Sequence, residues 1–513
     1  MGEYVFQLDD EAKPYFSGLI FVVSLVLICS SYLSGKVLPI GRAGISVIGS
    51  TLMIVLNIVP PKEINNVINW DTLILLMSMM MLSNYMEKAK IWELSNRLLL
   101  YKCKTPMEFL VRVCVICAVM ASILTNDTVC VTITPIIVQL CKQLHLPLLP
   151  FLLAIATSSN IGSSALPVGN PQNMIISTTS NLRFFNFFKV SIVSAILGMA
   201  INIGLLLLYY RKELSNYSIT GKKKQQPLNE DEQVDIEEIE KNYKEVIELN
   251  ELHADEDTLE IETTNNINNG ETIGDAILVS SANPYTDDNQ FLSLSSSSKV
   301  LEKKQNLKPT LENLKNVGEM LYFYRPLVVL VLVLVGFFVG FHMGFTVLFG
   351  VCILMFLDRK DIKDLIHSVD WELLIFFSGL FVIVDGFDRE FSRYAWKVLE
   401  KWVPISNHDS HLKTFIFIII VAVSCNILGN VPLVLSLCPR FLEESVGDFT
   451  WLLLAFVSTV AGNLTLVGSV ANLIVAEKAK FDYQIGFYEY LRFGLPSTIL
   501  VIAIATPFII LIS

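Results

Sequence analysis

Ser158-Ser-Asn-Ile-Gly-Ser-Ser-Ala-Leu-Pro-Val-Gly-Asn-Pro-Gln-Asn173 interrupts a long apolar stretch, and Ser458-Thr-Val-Ala-Gly-Asn-Leu-Thr-Leu-Val-Gly-Ser-Val-Ala-Asn472 interrupts a second in the same way. Each reads as a membrane helix that unwinds part-way. Unpaired backbone groups cost several kcal/mol in hydrocarbon, so irregular chain at that depth survives only when buried in protein or lining a polar cavity. Two interruptions placed alike in the two halves of a hydrophobic chain are the sequence pattern of a transporter's binding site.

The rest of the chain supports that class. Of 513 residues, 53% are hydrophobic and only 17% charged, and apolar stretches recur along nearly the whole length. A hydrocarbon core of about 30 Å needs roughly 20 apolar residues per helix. Candidates start near Phe16, Val37, Trp70, Pro150, Val190, Pro326, Gly344, Trp371, Trp451 and Phe487, which predicts about ten spans. Residues 1–15 are polar and acidic with no basic leader segment, so the first helix is the expected insertion signal.

The net charge of −11 is unevenly spread. Much of the acid falls between Asn216 and Asn316, in runs such as Glu230-Asp-Glu232 and Asp255-Glu-Asp257, with too little apolar surface to offset ordering entropy. The charge therefore says little about the partner. Residues 213–321 read as a cytosolic linker between two membrane halves, 16–212 and 322–513, with an acidic amphipathic helix near Val234–Leu252 and residues 1–15 outside. The nine cysteines sit in or beside apolar segments and suggest no disulfide framework. Cys114, Cys117 and Cys130 read as buried free thiols before they read as a metalloid site.

Laid on itself at an offset of about 301 to 304 residues, the chain brings Trp70-Asp71 onto Trp371-Glu372, Asn126 onto Asn430 and Asn160 onto Asn463. The fold expected is therefore an all-α polytopic membrane protein of two inverted repeats. Each holds about five spans, a re-entrant hairpin and a broken helix. The hairpins follow from Asn126-Asp127, which separates two apolar segments by a link too short to reach water and return, and from Leu428-Gly429-Asn430 in the second half. An odd number of spans inverts the second half. Charge placement agrees in the main: Lys36, Arg42, Lys88, Arg97, Arg211, Arg359 and Lys478 fall on the more basic, cytosolic side, and Lys62, Arg183, Lys189, Arg389, Arg393, Lys397 and Lys401 on the other, where the basic helix Arg389–Lys401 is the exception to the rule.

In such an arrangement the hairpin tips and broken helices meet near the midplane. The candidate substrate-binding residues are Asn126, Thr128, Ser159, Asn160, Gly162, Ser163, Gly169, Asn170 and Asn173 in the first half. In the second half they are Asn430, Gly462, Asn463, Thr465, Gly468, Ser469 and Asn472. Helix N-termini there offer N–H groups to an oxygen-rich substrate. Interhelical hydrogen bonding in a packed bundle is the alternative use of the same side chains. Asp127 faces the apolar Val431 in the repeat, and an acid at membrane depth is a functional hypothesis by default. It is the candidate ion-coupling residue, with helix capping as the alternative role; Asp385 is the second candidate. No phosphate-binding glycine loop and no H-E-x-x-H occurs, and the six histidines are scattered, so no cofactor, metal or enzyme activity is expected.

Thr125-Asn126-Asp127 with Pro150 through Asn173, and Trp451 through Glu477, resemble the two signatures of the arsenite-pump and sodium/proton-antiporter branch of the ion transporter superfamily. The wording Asn-Pro-Gln-Asn and Phe-Gly-Leu-Pro-Ser is most similar to plant silicon efflux transporters and to arsenite and antimonite efflux permeases. The resemblance implies hairpin-tip binding and alternating access. Dicarboxylate carriers of the superfamily show Ser-Asn-Thr at both tips; here the tips read Thr-Asn-Asp and Gly-Asn-Val, which weighs against a dicarboxylate substrate. The function expected is proton-coupled efflux of a small weak oxyacid, silicic acid or arsenite-like. A sodium/proton antiporter or sodium-coupled anion transporter is the rival within transport, a passive channel the rival of another class, and an intramembrane hydrolase a remote third. Expected partners are the oxyacid or anion, protons or sodium, the lipid bilayer of the plasma membrane or an endomembrane compartment, and a second copy as a homodimer, with no nucleic acid.

Overall fold

The computed structural model describes residues 9–33, 40–89, 98–101, 103–180, 182–217, 324–359, 362–391, 396–397, 399–403 and 410–512. These belong to one compact unit. The acidic linker and its amphipathic segment near Val234–Leu252 lie outside the described residues.

The first half is built from α1 (Lys13–Leu33), α2 (Gly41–Val55), α3 (Trp70–Lys88), α4 (Pro106–Ile123), α5 (Asn126–Gln143), α6 (Leu148–Ser163), α7 (Pro171–Thr179) and α8 (Phe184–Ser215). The second half follows the same order with α9 (Arg325–Val339), α10 (Met343–Asp358), α11 (Trp371–Glu390), α12 (His411–Leu428) and α13 (Asn430–Glu443). It ends with α14 (Asp448–Ala461), α15 (Val470–Ala479) and α16 (Phe487–Ile512). Among the described residues there is no strand.

The repeat extends to single hydrogen bonds. Asn69 and Asp370 cap α3 and α11, accepting from the N–H of Thr72 and Leu373 at 2.9 Å each. Trp70 and Trp371, one residue further on, donate their indole N–H to Asn65 O at 3.2 Å and Ile366 O at 2.9 Å. Packing is reciprocal between halves as well: α2 lies on α11 and α10 on α3, while α5 lies on α15 and α13 on α7.

Close helix contact is made with small residues, as expected where apolar surroundings give no hydrophobic drive to association. A Cβ on Gly379 of α11 would sit 2.4 Å from Ser46 Oγ of α2, and Ser46 Oγ donates to Phe376 O at 2.8 Å. Four described helices are long and apolar enough to cross a membrane: α4, α8, α12 and α16. The one-turn helices before α3, taken with it across a 55° bend, make a fifth. The stretches read as spans near Val37, Pro150, Pro326, Gly344 and Trp451 form helices of 14 to 16 residues. At 1.5 Å per residue such a helix rises roughly 21–24 Å. For α6 and α14 the physical reason is the unwound turn that stops each one.

Candidate functional site

The interruptions behave as the glycine, proline and asparagine content demands. α6 ends at Ser163, a 3-10 turn Pro167–Gly169 follows, and α7 restarts at Pro171. In the second half α14 ends at Ala461, the turn is Leu466–Gly468, and α15 restarts at Val470. A Cβ on Gly169 would meet Ser163 O at 2.2 Å, and one on Gly468 would meet Asn426 Oδ1 at 2.3 Å. Both positions are glycine because the chain folds back onto the end of its own helix or onto the hairpin.

The same asparagine holds both loops. Asn173 Nδ2 donates to the carbonyls of Ser163 and Leu166 at 3.3 and 3.5 Å. Asn472 Nδ2 donates to those of Gly462 and Thr465 at 2.8 and 3.2 Å. Asn170 caps α7, accepting from Asn173 N at 2.9 Å, and its amide donates to Ser163 Oγ at 3.0 Å and Thr459 Oγ1 at 3.2 Å. Backbone groups freed by unwinding are thereby paired inside the protein, as burial requires.

The hairpin tips differ. In the first, Thr125 caps α5 through its side chain, with Thr125 Oγ1 and Thr128 Oγ1 2.7 Å apart. The capping role weighed for Asp127 therefore belongs to Thr125, and Asp127 sits in the first turn. In the second, Gly429 takes a left-handed φ of +88° between α12 and α13, and no side chain caps the helix. Asn426, in the preceding turn, ties this tip to the second broken helix instead: its amide donates to Ala461 O at 2.9 Å and its carbonyl accepts from Thr465 Oγ1 at 2.8 Å.

Asn160 is the hub that joins these parts. Its carbonyl accepts from Asn126 Nδ2 at 2.9 Å and Ser469 Oγ at 3.0 Å, and its amide donates to Asn463 Oδ1 at 2.8 Å and Asn472 Oδ1 at 3.1 Å. Asn463 Nδ2 in turn donates to Thr157 O at 3.1 Å. All of these side chains are buried.

Beside this network lies a cavity of about 240 Å³. One wall carries Asn126, Asp127, Gln172, Asn430 and Ser469, so the first turns of α5, α7 and α13 and the residue preceding α15 all meet it. The lining also includes Ile28 of α1, Arg42 of α2, and Leu373, Phe376 and Phe377 of α11. Asn430 Oδ1 is buried and, among the described residues, has no hydrogen-bond partner.

Of the sequence-predicted residues, Asn126, Asp127, Asn430, Gly468 and Ser469 line the cavity. Asn160, Asn463, Asn472, Asn170 and Asn173 stand behind it with their amides used internally. Thr128, Ser163 and Thr465 are likewise engaged within the protein. Ser159 Oγ lies 3.2 Å from Cys130 Sγ and donates to Ala156 O, while Gly162 presses on the Ala118 backbone and Gly462 on Ser469. Cys114, Cys117 and Cys130 are fully buried. Asp385 lies apart from the cavity, with Arg389 Nε 2.5 Å from its Oδ2, in the wall of a second cleft of about 540 Å³ that also holds Asn69, Asp71 and Thr178. Arg42, Gln172 and Asn426 were not singled out from the sequence. Gln172 is in the quoted interruption and Asn426 precedes the second tip by one turn, so both carried a signal; Arg42 showed only as a charge at a helix end.

Comparison with known proteins agrees with this architecture. The chain is 55% identical to a transporter named arsB from Dictyostelium discoideum, over 99% of this chain and 94% of that protein. It is 34% identical to the silicon efflux transporter LSI3 of Oryza sativa subsp. japonica, over 92% of this chain and 93% of that one. It is 23% identical to the human P protein, over 75% of this chain and 46% of the relative. The citrate transporter family profile matches residues 25–461, and the chain accordingly belongs to that family of multi-pass membrane transporters.

Proposed function

We propose that this transporter is a secondary active exporter of a small weak oxyacid, of the silicic acid or arsenite type, working by alternating access in exchange for protons. The observation that carries the reading is the buried Asn430 Oδ1, left without a partner in a cavity whose only carboxylate among the described residues is Asp127. A buried unpaired acceptor costs about 1–3 kcal/mol. Two acceptors, Asn430 Oδ1 and the Asp127 carboxylate, call for a cargo that donates O–H. An undissociated oxyacid does so, and its other oxygens can accept from the Asn126 amide and from helix-start N–H groups.

Exchange follows from the chemistry of Asp127. An ionised carboxylate accepts the cargo's O–H; a protonated one presents its own proton there instead. Cargo and proton then compete for one group, and each leaves room for the other on opposite sides of the membrane. The relative named as a silicon efflux transporter points to the same cargo class. Citrate fits less well, since its carboxylates would meet Asp127 with Arg42 as the single cationic side chain among the described residues that line the cavity.

The reading includes an inverted arrangement of the two halves, with the more basic loops and the acidic linker cytosolic. The test is germanic acid and arsenite flux in proteoliposomes under an imposed proton gradient. Flux should follow the gradient and vary with pH, and Asp127→Asn should abolish uphill flux and flatten the pH dependence of what remains. Flux indifferent to the proton gradient in the wild type would end the exchange model. Uphill flux driven by sodium alone would replace protons as the coupling ion.

A further inference from the structure

Three helices line both the main cavity and the second cleft. α7 passes from Gln172 at the cavity to Thr178 at the cleft, α11 from Phe377 to Phe381, and α13 from Pro432 to Leu435. All three run in that order along the chain, so they agree on one direction from the first space to the second. α7 packs on α13, α13 on α11, α11 on α3 and α3 on α7, which closes a ring of four helices. Each of the four contributes to the lining of the cleft.

Little chain separates the two linings. The step is three residues on α13, four on α11 and six on α7, or roughly 5–9 Å at a rise of 1.5 Å per residue. Val434, Leu380, Ile175 and Ile176 fall within those steps, and all four are fully buried. The barrier between the spaces is therefore a thin apolar layer. Beyond it the cleft turns polar. Asn69 Nδ2 lies 3.4 Å from both Thr178 Oγ1 and Thr179 Oγ1, and Asp385 and Asp71 add carboxylates, the first held by Arg389 and the second 3.4 Å from His342 Nε2. Among the described residues that line the cleft, those two carboxylates are the only charged groups. An anion is opposed there, whereas a solute bearing O–H groups can donate to the carboxylates and hydroxyls and accept from the Asn66 and Asn69 amides.

We propose that this cleft is a second binding station for the cargo, a release vestibule reached from the main cavity across the apolar layer, and that it takes the same uncharged, hydroxyl-bearing solute. Resting on the oxyacid reading above, the proposal adds where the cargo goes once Asn430 and Asp127 let it go. Gln172 and Thr178 belong to one short helix, so α7 carries part of the wall of both stations. Leu380 and Val434 are what α11 and α13 contribute to the layer, so passage requires those two helices to part. Arg440 and Asp388 close that contact, with Nε 2.8 Å from Oδ1.

The experiment places a single label in the cleft of the full-length protein. Asn66 lines the cleft and is exposed, and Asn66→Cys is made in a Cys103→Ser, Cys352→Ser parent, then treated with a bulky maleimide. Germanic acid should slow the labelling, and sodium against choline should not. Once labelled, the protein in proteoliposomes should lose germanic acid flux by about tenfold or more. Germanic acid should still raise its unfolding midpoint in detergent as before labelling, because the main cavity is untouched. The parent treated in the same way should keep its flux. Thr179→Trp, which fills the cleft from α7, should show the same split between lost flux and retained stabilisation. Full flux through the labelled protein, or labelling indifferent to germanic acid, would overturn the proposal. Labelling slowed by sodium alone would make the cleft a cation site and overturn it too. Absence of germanic acid flux and stabilisation in the unlabelled parent would remove the oxyacid from both cavities, whereas normal flux in the parent and in labelled Asn66→Cys strikes the second station alone.

Discussion

Asn160 Nδ2 donates to Asn463 Oδ1 at 2.8 Å, so two residues that the internal repeat superposes are also bonded to each other. The bond is directional, and it makes the two positions unequal: Asn160 spends its carbonyl on Asn126 and Ser469, while Asn463 spends its amide on Thr157 O.

Asn160→Ala should therefore be among the most destabilising single changes in the chain. It strands two donors, Asn126 Nδ2 and Ser469 Oγ, and two acceptors, Asn463 Oδ1 and Asn472 Oδ1, in a buried region. Each stranded group costs about 1–3 kcal/mol. Asn160→Asp should also destabilise. Flipping Asn463 or Asn472 to suit the new oxygen would break their own bonds to main-chain carbonyls. The midpoint of thermal unfolding in detergent reads this out, and a midpoint unchanged in Asn160→Ala would refute the hub assignment.

The parts legible in the sequence were those with local causes. Gly, Pro and Asn clustered inside apolar stretches announce unwinding wherever they occur, and Asn126-Asp127 between two apolar segments announces a tip. The offset that aligned Trp70 with Trp371 found matched caps and matched indole bonds. What stayed hidden was which face each asparagine presents. Asn160 and Asn126 look alike in sequence, yet one is consumed by four partners and the other also reaches the cavity. That difference depends on how α6 meets α15, a tertiary fact. Arg42 was hidden for a similar reason: a basic residue at a helix end reads as an orientation signal, and only packing of α2 on α11 turns it toward Asp127's cavity.

Glycine positions offer a paired test of packing. A Cβ on Gly162 would lie 2.3 to 2.6 Å from the Ala118 main chain, where α6 crosses α4. Backbone cannot yield as a side-chain tip can, so Gly162→Ala should force the two helices apart and cost about 1–3 kcal/mol. Gly204, in α8, has nothing within 4 Å of the same atom. Gly204→Ala should be neutral or stabilising by up to about 1 kcal/mol, because alanine favours helix over glycine. Unfolding midpoints that move in the same direction for both variants would contradict the close approach of α4 and α6.

The last prediction concerns the buried ion pair at the far end of the second hairpin. Arg440 of α13 places its Nε 2.8 Å from Asp388 Oδ1 of α11, and its guanidinium also donates to Asp388 O at 2.8 Å and lies 2.6 Å from Glu443 Oε2. The Arg440 side chain is 7% exposed. α13 begins at Asn430, so this pair fixes the helix whose first turn lines the cavity. The first half has Ile136 at the position matching Arg440, and the α5 and α3 helices there do not share the packing that α13 and α11 have. Removing one partner of a buried pair costs about 3–5 kcal/mol, chiefly because the other charge is stranded. Arg440→Gln, which removes the guanidinium from Asp388, Glu443 and a main-chain carbonyl together, should thus unfold earlier than Asp388→Asn, in which Arg440 keeps Glu443 and that carbonyl. Both variants should alter transport rate more than oxyacid affinity, since neither residue touches the cavity. Equal unfolding midpoints for Arg440→Gln and the wild type would show that the pair does not anchor α13.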